Sequence, residues 1–350
     1  MAQTATTDFP AIDADGHIME RVADVRRYLA APWNERKTPI WPGDQPWDTQ
    51  LFESIGYPAN YAREMTPEVQ REIWLKAMDE HNLEIAVLFP TGVHSTPKLQ
   101  ETDFAIAVCS AANTLFGKEF STNRLKPVGV LPMRDPKASV RELERAVDEL
   151  GITAFEVATT GLPFALGDSF YDPVYEAAQR KKAQICIHGT RHWSHEVGAD
   201  KLRTFAEIHA YAFPAALIMQ FTSVMCQGVP ERFPDLKMAF LEIGVTWLPY
   251  YLDRLDEHWN LRRREMPHVS ERPSDVFRKS KIKMSIEADE SFLVETLDFV
   301  GAEHFVFASD IPHWDSEWPH NIQGIRRHPK LSAEVKRKLL YDNAKEFYRI

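Results

Sequence analysis

Short apolar runs recur along the chain and alternate with stretches of helical periodicity. The runs lie at 12–15, 85–89 (IAVLF), 127–131 (PVGVL), 154–157, 185–188, 237–241 (KMAFL), 283–286 and 305–308 (FVFA). Each is brief, mostly apolar and flanked by polar or turn residues, the pattern of a strand covered on both faces. Between them the spacing predicts helices at 67–80, about 103–120, 136–150, 172–181, a long stretch ending near 227, then 247–258, 292–301 and a tail at 333–348. Pro136 and Gly151 bracket one of these, as the start and stop of a helix. Eight strands, each followed by helix, fit a closed parallel barrel better than an open sheet. The expected fold is therefore α/β, a single (β/α)8 TIM-like barrel domain over residues 1–350.

One segment breaks the rhythm. Residues 21–75 are rich in Pro and Trp, including Pro32, Trp33, Pro39, Trp41, Pro42, Pro46 and Trp47. An irregular stretch of that length reads as an insertion after the first strand, a lid over the mouth, since long loops usually serve a function. Each tryptophan taken alone is equally a packing residue.

Composition narrows the class. Hydrophobic residues make up 44% of the chain, enough for a large core, and the net charge of −10 is spread without a basic stripe. Nucleic acid is not an expected partner. Neither a basic-then-apolar leader nor a run of about 20 apolar residues stands out, so no membrane association is expected. Cys109, Cys186 and Cys226 show no paired spacing and read as reduced thiols of a cytoplasmic protein.

Barrel enzymes place their chemistry at the C-terminal strand ends. The first strand runs into Asp15-Gly16-His17, the fifth ends at His188, the sixth at Glu242 and the eighth at Asp310, with His313 three residues on. Asp15 and His17 are two apart, so an extended strand points both to one side. A carboxylate and an imidazole there suit a divalent cation. Singly, His188 is also a satisfied core histidine, Glu242 an anion at a helix start and Asp310 a turn residue. Together at one barrel mouth they point to a shared ion. Glu20 and His313 are further candidate ligands, each able to fold back over the mouth.

The ordered set Asp-x-His, His, Glu, Asp resembles the amidohydrolase superfamily, and within it the amidohydrolase-2 branch of aminocarboxymuconate-semialdehyde-decarboxylase-like proteins. KPVGVLP (126–132), FPDL (233–236), FLEIG (240–244), WLPYYLDRL (247–255) and SDIPH (309–313) carry the same resemblance, which covers nearly the whole chain from Ala11. The chain departs from the branch's pattern in three ways: Asp15 stands where a histidine is usual, Glu242 where the catalytic residue is usually histidine, and Glu20 and His313 are extra potential ligands. The resemblance implies a metal-dependent hydrolase or nonoxidative decarboxylase acting on a small carboxylic acid, amide or thioester, often as a dimer, with the helices near 210–225 as a possible interface. A few carboxylate-rich relatives are dinuclear iron proteins. One is an oxygenase that hydroxylates 2-aminoisobutyrate, which keeps open an alternative as an oxygenase subunit paired with a related barrel.

Oxygen-rich ligands shift preference from zinc toward manganese or iron, and more anionic ligands make room for a second cation about 3.5–4 Å from the first. Two ions are expected, with Asp15, His17, Glu20, His188, Glu242, Asp310 and His313 as the ligand pool. Asp310 would carry protons, Glu242 would bridge the ions or act as acid–base, and Arg191 or His192 would hold a substrate carboxylate. A surface loop is the other account of Arg191 and His192.

Overall fold

Nine parallel strands form the wall of the barrel in the computed structural model, which describes residues 9–37, 40, 65–189, 194–313 and 315–350. They are β1 (Ala11–Ile18), β2 (Leu83–Pro90), β3 (Leu125–Pro127), β4 (Gly129–Val130), β5 (Ala154–Ala158), β6 (Gln184–His188), β7 (Lys237–Leu241), β8 (Ile282–Ile286) and β9 (Phe305–Phe307). The ladders run β1-β2-β3 and β4-β5-β6-β7-β8-β9. β3 and β4 are one stave interrupted at Val128. Pro127 has no N–H to give, and the Val128 N–H goes to Leu88 O at 2.8 Å. Below the break the stave pairs with β2, above it with β5. The expected eight staves are present, and the helices Pro136–Leu150 and Asp172–Lys181 have the expected bounds. Gly151 ends the first of these in the left-handed region, φ 68°.

The seam between β9 and β1 is made differently from the other joints. Among the described residues the two strands share no ladder. Instead the buried Asp13 carboxylate accepts from Ser309 N at 2.9 Å and from Ser309 Oγ. Beyond the strand ends, Asp310 N donates to Asp15 O at 2.8 Å and His17 N to Ile311 O at 2.7 Å. A side chain thus stands in for part of the ladder. The seam locks the ends of the first and last staves together, and both carry site residues.

Two apolar layers flank the wall. Outward residues such as Phe155, Val157, Ile185 and Ile187 meet the helices. Inward residues, including Ile12, Val87, Val128, Cys186 and Ala239, pack on Tyr341, Ala344, Phe347 and Tyr348 of the tail. Tyr348 also donates to Ala14 O at 2.9 Å. The tail therefore plugs the N-terminal end of the barrel and leaves the other end for chemistry.

Among the described residues one helix, Phe205–Cys226, is long and apolar enough to cross a membrane by length and composition. Its Ala216, Leu217, Phe221 and Val224 side is buried in the core, which accounts for its apolar character.

Residues 38–39 and 41–64 of the Pro- and Trp-rich insertion, Trp41 and Trp47 among them, lie outside the described residues. Trp33 stacks beside Phe104, ring centroids 5.4 Å apart, as a packing residue. Trp74 has a more specific place. Its indole donates to His17 O at 3.1 Å, and its ring lies against Gly16. A Cβ on Gly16 would stand 2.6 Å from Trp74 Cζ2 and closer still to Cη2. The ring is buried and rigid, so it cannot give way. Gly16→Ala is expected to cost about 1–3 kcal/mol, read as a lower melting temperature of the purified protein. An unchanged melting temperature would show that the contact relaxes freely.

Candidate metal centre

Six of the expected site residues meet at the open mouth: Asp15 and His17 on β1, His188 at the end of β6, Glu242 just past β7, and Asp310 and His313 past β9. Register slips between Asp13 and Gly16, which marks a bulge in β1. The slip lets Ala14 face the apolar interior while Asp15 and His17 face the mouth. Two of the converging residues sit where a side chain rarely does, Glu242 at φ 83° and Asp310 at φ 55°. Such backbone is strained for non-glycine residues and persists only where surrounding bonds enforce it. Ser285 Oγ accepts from Glu242 N at 2.8 Å, and the seam bond fixes Asp310 N.

Some of the donor atoms face one another across gaps wider than a hydrogen bond, while His17 Nε2 stands 3.1 Å from Asp310 Oδ1. His17 Nε2 to Asp15 Oδ1 and His188 Nε2 to Asp15 Oδ2 are both 3.5 Å. Donors about 2.1 Å from a tetrahedral ion stand about 3.4 Å from each other. Asp15 is 1% exposed, yet neither of its oxygens has a hydrogen-bond partner among the described residues, nor do His188 Nε2, Glu242 Oε2 and His313 Nε2. Unsatisfied buried groups of this kind are costly. A cation removes the cost. The tautomers agree with this: the His188 Nδ1–H donates to Gly189 O at 2.9 Å, which turns the Nε2 lone pair to the mouth.

Two donor sets emerge. Asp15, His17 and His188 form one, and His17, Asp310 and His313 another, in each of which the donor atoms lie within 4.8 Å of one another. Glu242 lies beside a residue of each, Oε2 at 3.2 Å from His188 Nδ1 and Oε1 at 3.8 Å from His313 Nδ1. Its neighbourhood splits the two carboxyls. Burial pushes Glu242 well above the usual range despite the nearby His188. Burial acts upward on Asp310 too, but the His313 charge and hydrogen bonds from His17 and His313 prevail and hold it well below. Burial and the His313 charge lower His17 to about 4, so its ring is neutral and ready to ligate at neutral pH.

Glu20 is placed elsewhere. Its carboxylate accepts from Thr91 N at 3.0 Å and from Val93 N, so it anchors the loop after β2. That loop supports His17, whose Nδ1 is 3.4 Å from Thr91 Oγ1. Arg191 and His192 lie outside the described residues. Sequence reasoning missed two further groups. His94, in that same loop, and Glu156, on β5, come together with His188 in a third donor set. A cavity of about 230 Å³ opens beside Asp15, Glu242 and Asp310, and Glu287, Asp289 and Asp315 line its other side. Burial and the charges of Glu290 and Asp289 raise Glu287 to about 7. The described lining contains no lysine or arginine. An anionic substrate entering this cavity meets repulsion unless a cation is present.

A parallel barrel whose mouth gathers histidines and carboxylates around unsatisfied donors defines a metal-dependent barrel enzyme. The chain belongs to the amidohydrolase family, whose model matches residues 12–350. It is 26% identical over 221 residues to 2-amino-3-carboxymuconate-6-semialdehyde decarboxylase of Dictyostelium discoideum, covering 63% of this chain and 60% of that protein. It is 24% identical over 279 residues to gamma-resorcylate decarboxylase of Rhodococcus jostii strain RHA1, covering 75% and 84% of the two chains. The structure of 5-carboxyvanillate decarboxylase from Novosphingobium aromaticivorans, complexed with manganese and 4-hydroxy-3-methoxy-5-nitrobenzoic acid, superposes with a TM-score of 0.73 at 18% identity, over 98% of this chain and 97% of that one. This likeness shows the shared barrel.

Proposed function

We propose that the protein is a divalent-metal-dependent decarboxylase that removes CO2 from a small unsaturated carboxylic acid without oxidation. The observation that carries it is the set of buried, unsatisfied donors facing one another at 3.5 Å beside a small acidic cavity. The named relatives, all decarboxylases, favour this over hydrolysis and over the oxygenase alternative. Carboxylate-rich ligation suits manganese or iron, and manganese accompanies the structural relative named above.

In this reading the centre takes two cations. Asp15, His17 and His188 would hold one, Asp310 and His313 the other, and Glu242 would contribute its carboxylate to both. Asp15, Glu242 and Asp310 supply three negative charges, more than one divalent ion balances. When bound, the metal supplies Lewis acidity and draws the substrate anion into an otherwise repulsive cavity. The residues do the rest. The bond from carbon to the carboxylate breaks, its electron pair stays on carbon, and that carbon must gain a proton. Asp310, ionised and hydrogen-bonded to His313 Nδ1 at 2.7 Å, is placed to accept a proton from the substrate and return it to that carbon. A cytoplasmic homo-oligomer, or assembly with a related barrel, completes the proposal; the three free cysteines support the compartment.

The test is a panel of phenolic and enoic acids assayed for CO2 release with protein stripped by chelator, then reloaded with manganese. Activity is expected only after reloading. Turnover at an equal rate in stripped protein, or CO2 from no acid in the panel with metal bound, overturns the reading.

A further inference from the structure

We infer that Glu156, assisted by His94, is a further ligand of the inner cation, reaching it from below while Asp15 and His17 reach it from the side. The inference rests on the metal-dependent reading above and adds one donor from the fourth stave and one from the loop after β2, neither of which the sequence pattern marked as part of the site.

Alternation along β5 settles the direction. Phe155 and Val157 pack outward against the helices, and Ala154 faces the interior. Glu156 therefore points into the barrel. In the ladder it pairs with Cys186, while His188 pairs with Ala158, so Glu156 stands one layer beneath His188. Its side chain extends upward: its carboxylate, a His94 ring nitrogen and a His188 ring nitrogen lie within 4.8 Å of one another. His94 Nδ1 is 3.5 Å from Glu156 Oε1, the same spacing that the Asp15 pairs show. Two histidines and one carboxylate form a common cation-binding set.

The second observation is the state of the carboxylate. Glu156 is 3% exposed, and neither oxygen has a hydrogen-bond partner among the described residues. Buried acids away from the mouth are met by donors, Asp13 by Ser309 and Glu20 by the backbone of Thr91 and Val93. Glu156 instead faces histidine nitrogens. It is either a neutral acid beside His94 or an anion beside a cation. The 3.5 Å from His94 Nδ1 to Glu156 Oε1 leaves no hydrogen bond between them and matches the Asp15 pairs at the mouth, the spacing of donors that share a cation.

Glu156→Gln separates the two states, because glutamine copies the shape and neutrality of a protonated glutamate but loses the anionic donor. Metal-stripped wild type, Glu156→Gln and His94→Asn are titrated with Mn²⁺, following free Mn²⁺ by electron paramagnetic resonance, with elemental analysis of the loaded proteins. His17→Gln serves as a control. Glu156→Gln is expected to weaken the tighter-bound manganese at least about 10- to 100-fold, with His94→Asn in the same direction. Equal melting temperatures of the stripped wild type and stripped Glu156→Gln would show that the loss is not unfolding. Should Glu156→Gln fold poorly, His94→Asn alone decides. Manganese binding at wild-type affinity in both variants, with loss in His17→Gln, overturns this inference and leaves the metal reading intact. No manganese bound by wild type overturns both.

Discussion

Asp310→Asn is expected to lower kcat by about 100- to 10,000-fold on whichever acid the manganese-loaded enzyme decarboxylates. The substitution is nearly isosteric. Its remaining carbonyl oxygen can still accept from His313 Nδ1, and its backbone N–H can keep the bond to Asp15 O that closes the barrel seam. What it removes is a carboxylate held ionised by His313 and His17 despite its burial, a group able to take a proton and give it back. Asparagine does neither. Steady-state kinetics together with metal content separate two origins of the loss. A fall in kcat with manganese retained and KM near wild type assigns Asp310 to proton transfer. A parallel loss of manganese assigns it chiefly to ligation. Activity within about tenfold of wild type would remove Asp310 from the reaction.

The positive φ values at Glu242 and Asp310 give that experiment a structural frame. Neither backbone would choose this conformation alone. The bond from Glu242 N to Ser285 and the seam at Asp310 hold them there. The strain turns both carboxylates toward the mouth rather than along the strand, as expected where chemistry outranks local stability.

How much of this was legible in the chain depends on what each residue is paired with. Asp15, His17, His188, Glu242, Asp310 and His313 stood out because an apolar strand ending in a metal-binding type is an uncommon juxtaposition, repeated four times. The structure brings those six together. Glu20 looked the same on paper, yet its partners are backbone N–H groups of Thr91 and Val93, supplied by a loop 71 and 73 residues away; no local pattern reports such a bond. Asp13 was hidden for the same reason, since Ser309 lies 296 residues further on. Glu156 left a signal that was passed over. A lone acid within AFEVA, a strand buried on both faces, has few uses other than a cation or a seam. His94 also follows an apolar strand, the same mark that singled out His188. The break at Val128 was not legible as a change of partner, because Pro127 says only that a donor is missing.

Glu242→Ala is expected to empty both cation positions together. Glu242 lies beside a residue of each donor set, with Oε2 near His188 Nδ1 and Oε1 near His313 Nδ1, and is the carboxylate proposed to reach both ions. A bridging carboxylate is shared, so its loss weakens both ions, whereas loss of a terminal ligand weakens one. Alanine keeps the Cβ and thus the existing backbone strain at φ 83°, and the Ser285 bond to the backbone N–H survives, so the loop should hold its place. Alanine introduces no charge or donor that could compete for the ions, so a drop in occupancy reports the lost ligand. Elemental analysis of protein loaded with manganese at graded concentrations reads the result: both ions lost in parallel, with affinity down about 10-fold or more. One ion kept at full occupancy with activity gone would make the centre mononuclear and Glu242 its acid–base group. That outcome is chemically coherent, because the metal-free environment pushes the Glu242 and Asp310 pKa values apart, one up and one down, the arrangement that assigns acid to one carboxyl and base to the other.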